Sequence, residues 1–594
     1  MLRVAGSAVL AKHARPGALL TLKRAETNEY TKAVFLFHKG DVAFAAPLNK
    51  KLRLDTTLPA HNNKQPLLLV DQQDETLSLN SHVLCENFST RIVDCFGDPL
   101  KFGHCGANLL SGGEARPIFG VPPLQAELQQ ISRSMLTGTT AIDAITPIGR
   151  GQSMILLGEC ETGKTSLLLN AILVQATNSV RCIVGLSHGG YAAATHLVEE
   201  LRANGFPVEK LTVVATRTGS AVERALVEAA ACSLAEKVRD GGGHALVALD
   251  ELRGHLELWD QSASILAKEC STDGPSELTP EAEAAIAATI THPAEQRIFY
   301  ASLLQRASQL SDAKGGGSLT LLAAVEQIRQ PRHETTGKDA AFSLSEFESW
   351  PKAEKIRLEA LSQRGVPLTS KILHMIGIPS PKRYDEDGEN SSKTVRSRVS
   401  VRKRHIDQII SIADAHVQLH ANLAAQGWQP AINPSESIAR VGAGSDVKAR
   451  PMPMSAAMLQ IAPSLRLELA QAADSLPPGF DSFSDLHRTR MLALSAAIRS
   501  QPRLRPRTLS HQITLLCAVL DGRFDSIDTA CPSAASKAVE GLIKHVDVEC
   551  GATLRCIDKT GNIDDKQWTS LRAAISTHLP KSSFKSNFAS WDTQ

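Results

Sequence analysis

Ser153-Met154-Ile155-Leu156-Leu157-Gly158-Glu159-Cys160-Glu161-Thr162-Gly163-Lys164-Thr165-Ser166-Leu167-Leu168-Leu169 is the stretch on which the reading of this chain turns. It joins an apolar run of strand length to an apolar run of helical spacing through the pattern G-x-x-x-x-G-K-T. Glycines at 158 and 163 let backbone N–H groups turn inward around phosphate oxygens, and the helix that follows aims its positive end at them. Lys164 is then placed to reach the outer phosphates as a point charge, and the Thr165 hydroxyl to ligate Mg²⁺. The alternative is a glycine-rich turn without a ligand, and the strand before and helix after the loop weigh against it.

A second apolar run, His244-Ala-Leu-Val-Ala-Leu249, ends in Asp250-Glu251. An acidic residue at the tip of a buried strand is the usual partner of such a loop, and Asp250 can orient Mg²⁺ through water. Read without the loop, Asp250 is only a helix N-cap. Between Pro122 and Ala324 short apolar runs (Ser153–Leu157, Cys182–Leu186, Leu211–Ala215, Ala245–Leu249) alternate with helical patterns, which predicts parallel βαβ units.

Outward from this centre the pattern changes twice. From Thr31 to Cys95 the chain reads as short strands (Ala33–Phe37, Leu67–Val70, Ser89–Val93) separated by turn formers, and a small antiparallel barrel is the natural way to hide their edges. From Met454 onward the pattern is helical, as in Leu465–Ala473 and Thr508–Leu520. Between them, about 328–405 mixes Pro, Ser and charge; its basic residues Lys393, Arg396, Arg398, Arg402, Lys403 and Arg404 read as a solvated loop rather than a nucleic-acid patch.

Composition narrows the function classes. Lys+Arg 64 against Asp+Glu 62 leaves +2 over 594 residues, so the broad basic surface of a nucleic-acid binder is missing. Phe, Tyr and Trp (16, 4 and 5) are too few for stacking platforms. No apolar run reaches membrane-spanning length. Eleven cysteines, an odd and low number for this length, fit a reducing compartment. The first 25 residues carry Arg3, Lys12, Arg15, Lys23 and Arg24 and no acid, as a mitochondrial presequence does, and residues 1–28 are expected to be one.

Thr137-Gly-Thr-Thr-Ala-Ile-Asp-Ala-Ile-Thr-Pro-Ile-Gly-Arg-Gly-Gln152 followed by the phosphate loop resembles the α subunit of F1-type ATP synthase. So do Arg91–Pro99, Ala235–Glu251, Arg297–Arg306 with Gly315–Thr320, and Gly427-Trp-Gln-Pro-Ala-Ile-Asn433 leading into Ser437-Ile-Ala-Arg440-Val-Gly442. The order is that of the family over about 90–450. The resemblance implies a β-barrel crown at 29–100, a P-loop (RecA-like) α/β nucleotide-binding domain at 101–450 carrying the 328–405 insertion, and a C-terminal α-helical domain at 451–594. It further implies that Gly158–Ser166, with Gln429 and Pro430, bind ATP or ADP with Mg²⁺, and that Arg440 is an arginine finger acting in trans. The implied partners are the F1 β subunit, in an alternating hetero-hexamer, and the central-stalk γ subunit, on the matrix face of the mitochondrial inner membrane, with proton-driven ATP synthesis as the activity of the whole.

The chain departs from that pattern at four places. The catalytic subunit orients its attacking water with a Glu, and α has a Gln there; a gapless reading from Cys182 places Gly189 at that position. His188 beside it is open to a reading as a base, although a solvent-facing or capping histidine is commoner. The family's Asp, Arg, Gln within the loop become Glu159, Cys160 and Glu161, which puts two extra negative charges beside a polyanion. An Ala/Glu-rich stretch, Glu277–Ala288, replaces a Pro/Gly-rich loop, and the 328–405 insertion has no counterpart. The expectation is an α-type subunit that does not hydrolyse ATP alone; the alternative is a divergent paralog serving as a nucleotide-binding or nucleotide-free scaffold outside the rotary complex.

Overall fold

The computed structural model describes residues 133–261 (218 apart), 293–327, 403–440, 482–525 and 531–579, together with 122–131 and shorter pieces between 2 and 117 and between 455 and 469. Its centre is a sheet of β7 (Ile92–Val93), β9 (Ser153–Gly158), β10 (Val180–Leu186), β11 (Leu211–Ala215), β12 (His244–Leu249), β14 (Ser318–Glu326), β15 (Ala415–Leu419) and β16 (Ile432–Ala439). The order is β16-β15-β9-β14-β12-β10-β11-β7. Every neighbouring pair is parallel except β15–β16, and β13 (Ser308–Gln309) adds an antiparallel contact to β14. Strands covered on both faces need apolar residues at every position, and Met154–Leu157 and Ala245–Leu249 are buried throughout.

The two faces carry separate cores. Ile155, Leu157, Ile183, Val247 and Leu249 pack with α4 (Ala221–Asp240), α5 (Pro293–Leu304) and the helices over 254–261 and 403–412. Alanines at 225, 229, 230, 231 and 235 of α4 are buried against the sheet, and they let the helix lie close to it. Gly254 belongs to this close packing, because a Cβ there would stand 2.3 Å from the backbone nitrogen of Ala225. Met154, Leu156, Cys182, Val184 and Leu246 face the other way, onto α1 (Thr140–Ile145), α2 (Lys164–Leu173) and α3 (Gly190–Ala203).

The same core continues into the C-terminal helices α6 (Ser482–Ile498), α7 (Leu509–Leu520), α8 (Pro532–Thr560) and α9 (Asp565–His578). The expected helix over 508–520 is present, with the Thr508 side chain accepting from the His511 N–H as its N-cap. A polar junction ties this part to the nucleotide-domain segment Thr137–Asp143. Asp143, buried on α1, accepts from Thr137 N (2.9 Å), Thr137 Oγ1 (2.8 Å), Gly138 N (3.0 Å) and Gln512 Nε2 on α7 (2.7 Å). Arg507, also buried, donates to Thr140 Oγ1 at 3.1 Å and Ser500 O at 2.7 Å.

One sequence expectation changes at the N-terminal side, the placement of Ile92–Val93. The described strands there form a five-stranded antiparallel sheet, β1-β4-β3-β2-β5, from β1 (Leu2–Val4), β2 (Leu19–Lys23), β3 (Tyr30–Lys39), β4 (Val42–Pro47) and β5 (Leu68–Gln73), beside a β6 (Thr76–Leu79)–β8 (Glu114–Pro117) pair. Among the described residues the sheet has two edges, β1 and β5, and much of the 29–100 stretch expected to form a barrel lies outside the described residues. β1 and β2 fall within the stretch read as a presequence. Ser89–Val93, read with the barrel, instead supplies β7 at the far edge of the central sheet, where Ile92 and Val93 pair with Val213 and Val214. A two-residue apolar pair carries no signal of which sheet it will join. The stretch 277–288 and the insertion up to 402 lie outside the described residues; residues 403–412 form a helix whose Ile406 and Ile409 belong to the core.

Candidate functional site

β9 delivers the chain to Gly158 at the carboxyl end of the sheet, and α2 begins six residues later. The turn between them requires unusual backbone. Gly163 has φ 97°, Glu161 has φ 60°, and a Cβ on Gly158 would sit 2.5 Å from Thr162 Oγ1. The Thr162 hydroxyl donates to Glu159 O at 2.8 Å and fixes the loop from inside. Lys164 folds back so that Nζ donates to Gly158 O (2.9 Å) and Glu159 O (2.6 Å), and burial lowers its pKa from the ordinary lysine value. The first turn of α2 and this ammonium together supply the donors and positive charge of a phosphate cradle.

The two residues read as a metal pair, Thr165 and Asp250, lie near each other. Asp250 follows β12, its N–H bound to Gly185 O at 3.1 Å, and its carboxylate lies 3.4 Å from Thr165 Oγ1. That distance is at the long limit of a hydrogen bond, and both oxygens are hard donors suited to Mg²⁺. Burial pushes the Asp250 pKa up, opposed by His188, the Thr165 hydroxyl and Lys164. Among the described residues no group of three His, Cys, Asp or Glu is set to hold a metal. A cation here would therefore lean on the oxygens of a bound nucleotide and on water.

Next to the loop stand residues the sequence reading did not single out. Glu326, the last residue of β14, pairs in register with Gly158, and the following Gln327 N–H donates to Gly158 O at 3.0 Å. The Gln327 and Gln418 amides bond each other both ways, at 2.7 and 3.2 Å. The run Leu319–Val325 before them carried the same apolar signal as the four strands that were recognised.

Position 189 holds no water-orienting side chain. Gly189 caps α3 with φ 75°, and a Cβ there would meet Ala193 Cβ at 2.5 Å. His188 beside it stands between two charged neighbours. Its Nε2 lies 3.4 Å from Arg253 Nη1 and its Nδ1 3.4 Å from Glu251 Oε2. Arginine only donates, so this placement suits an accepting Nε2 and a protonated Nδ1 facing the carboxylate.

Gln429 and Pro430 lie in the connection after β15, at the phosphate-loop end of the sheet, where Leu419 Cβ stands 3.0 Å from the Cβ position of Gly158. Gln429 N donates to Arg499 O (3.0 Å) and its carbonyl accepts from Gln501 N (2.7 Å), which ties this connection to the C-terminal helices. Arg440 is not with them. It follows β16, whose Ala439 pairs with Ala415, itself beside Met154 at the start of β9. At ~3.3 Å per residue, Arg440 stands on the order of 15 Å from its own phosphate loop, at the opposite end of the strands. There its guanidinium donates to Ser411 O and, at 2.7 Å, to Ile410 O, closing the C-terminus of the helix over 403–412.

Comparison with known proteins agrees with this geometry. Residues 138–279 match the ATP synthase alpha/beta family, nucleotide-binding domain. The chain is 26% identical over 501 residues to ATP synthase subunit alpha of Aquifex aeolicus, covering 84% of this chain and 79% of that protein. It is 28% identical over 500 residues to ATP synthase subunit alpha of Lawsonia intracellularis, covering 82% and 78%. The central α/β part thus matches the nucleotide-binding domain of the ATP synthase alpha/beta family, within a chain that is similar to alpha subunits of that enzyme over most of its length.

Proposed function

We propose that this chain is a non-catalytic, ATP-binding alpha-type subunit of an F1-type rotary ATP synthase. The observation that supports the reading is the phosphate loop Gly158–Thr165, with Asp250 Oδ1 3.4 Å from Thr165 Oγ1, beside a position read as water-orienting that is glycine in a left-handed turn. Such a site holds Mg-nucleotide and has nothing to aim water at it. Bound Mg²⁺ would supply charge neutralisation on the phosphates, and Lys164 and the start of α2 would hold them.

Arg440 then serves a neighbouring catalytic subunit. It is too far from its own loop to act in cis, and a guanidinium brought to a partner's phosphates is worth ~10³–10⁵ in rate. On this reading the β subunit contributes the water-orienting carboxylate, the γ subunit turns inside the ring, and ATP synthesis is driven by proton flow. The acid-free first 25 residues favour the matrix face of the mitochondrial inner membrane as the location. Among the described residues no helix is long and apolar enough to cross a membrane.

The test is nucleotide binding and turnover by the purified full chain. Mg-ATP is expected to bind without hydrolysis above background, and Lys164→Ala to abolish binding while the circular dichroism spectrum stays unchanged. Turnover that disappears in the Lys164→Ala protein would make this chain an enzyme in its own right. Co-purification with a β-type partner in equal amount, read by native mass spectrometry, tests the assembly.

A further inference from the structure

The phosphate site is unusually acidic for a site that takes a polyanion. Glu159 and Glu161 lie in the loop, Asp250 and Glu251 follow β12, and Glu326 pairs with Gly158; the charges of the last three act on the ammonium of Lys164. A second cation, Arg253, follows the metal-side strand β12. Leu252 N–H donates to Ala324 O at 2.7 Å, which pins the segment carrying Arg253 onto the end of β14, two residues before Glu326. The charges of Glu251 and Glu326 act on both Lys164 and Arg253, so the two cations share one electrostatic pocket.

The Arg253 guanidinium is held and still available. Its Nε donates to Glu257 Oε1, while the other oxygen of Glu257 accepts from Arg224 Nη2 at 2.6 Å, so the carboxylate that positions Arg253 is itself fixed from α4. Nη1 faces His188 Nε2 at 3.4 Å, and among the described residues Nη2 carries no hydrogen bond. The side chain is 42% exposed, enough to meet a ligand from solvent. In a phosphate loop the backbone N–H groups hold the inner phosphates and the metal bridges the outer two. Thr165 and Asp250 would hold the metal, and Arg253 comes three residues after Asp250 and faces His188, whose other ring nitrogen faces Glu251.

Resting on the nucleotide-binding reading above, we propose that Arg253, positioned by Glu257 and Arg224, contacts the terminal phosphate of a bound nucleoside triphosphate and makes this site prefer the triphosphate to the diphosphate. Lys164 then serves both nucleotides, and Arg253 serves only the longer one. A charge-assisted contact of this kind is the strong class of hydrogen bond.

The experiment is displacement of a fluorescent nucleotide from the full chain by Mg-ATP and by Mg-ADP. Wild type is expected to favour ATP, and Arg253→Gln to weaken ATP by about tenfold or more while ADP changes little. Equal loss of both nucleotides, or loss of neither, overturns the proposal and leaves nucleotide binding standing. Wild type that binds neither removes the nucleotide reading and this proposal together. Phenylglyoxal labelling of the unmutated protein gives a second readout, through the modified peptide. Protection of Arg253 by Mg-ATP and not by Mg-ADP is expected, and equal labelling in both overturns the assignment even if the variant fails to fold.

Discussion

At the scale of single residues, the phosphate loop is where this chain differs most from what its motif promises. Each of Glu159 and Glu161 places a negative charge near the ligand at a cost of about 1 kcal/mol at surface-type dielectric. Glu161 also holds a left-handed φ of 60°, a conformation that costs a residue with a side chain roughly 1–2 kcal/mol. The double variant Glu159→Gln/Glu161→Gln is expected to bind Mg-ATP about thirtyfold more tightly. Its affinity should also respond less to added salt, since screening relieves the same repulsion in the wild type. Titration at low and high ionic strength checks both; equal affinity and equal salt response in the two proteins would mean the carboxylates point away from the ligand. The charge change was legible in the sequence. The strain at Glu161 was not, because only the folded turn requires it.

Among elements, the junction between α1 and α7 has its own pH dependence. Burial raises the Asp143 pKa to about 6, against the hydrogen bonds that favour its charged form. The unfolded chain loses this proton near pH 4. The folded state therefore binds the proton more tightly, its contribution is fully present below pH 4, and it is lost as pH rises from about 4 to about 6. The swing is at most about 3 kcal/mol. Asp143→Asn should remove this falling slope, as read by urea denaturation across that window. Gln512 has an unpartnered buried Oε1, so a flipped amide can accept from the new Asn side chain. A slope unchanged in the variant would assign the pH dependence elsewhere.

Elements also show what the sequence could and could not say. The four strands with residues buried on both faces were legible as apolar runs, because a parallel sheet covered by helices demands them at every position. β16 was not, because Ser435, Glu436 and Ile438 are exposed at the edge of the sheet and break up the apolar run. β7 was misassigned, because its two residues gain their place only through pairing with β11 across a long stretch of chain. The phosphate loop was read from its spacing together with the strand before it and the helix after it, and Asp250 from the apolar run that it ends. Arg253 was passed over, since the placement of its segment against β14 depends on a backbone bond between Leu252 and Ala324 that no local pattern reveals.

For the molecule as a whole, Arg440 decides whether the chain is a ring subunit or a fold kept for another purpose. In the chain alone its guanidinium caps a helix end through two neutral carbonyls, Ile410 O and Ser411 O. Phosphate oxygens are stronger acceptors than carbonyls, so a partner's nucleotide can draw the side chain away from that cap at modest cost. A helix cap and a finger make different demands. Loss of exposed capping bonds costs about 1 kcal/mol, whereas loss of a finger costs ~10³–10⁵ in rate of the assembled enzyme. Arg440→Ala is therefore expected to keep its own Mg-ATP affinity and nearly its own stability, while the ATPase of a complex reconstituted with a β-type subunit falls by about 10³ or more. Arg440→Lys should keep the charge and recover little of the rate, because the ammonium cannot present the forked donors of the guanidinium. Full activity in the reconstituted Arg440→Ala complex, with only the small stability loss, would make Arg440 a helix cap and leave the chain a nucleotide-holding scaffold.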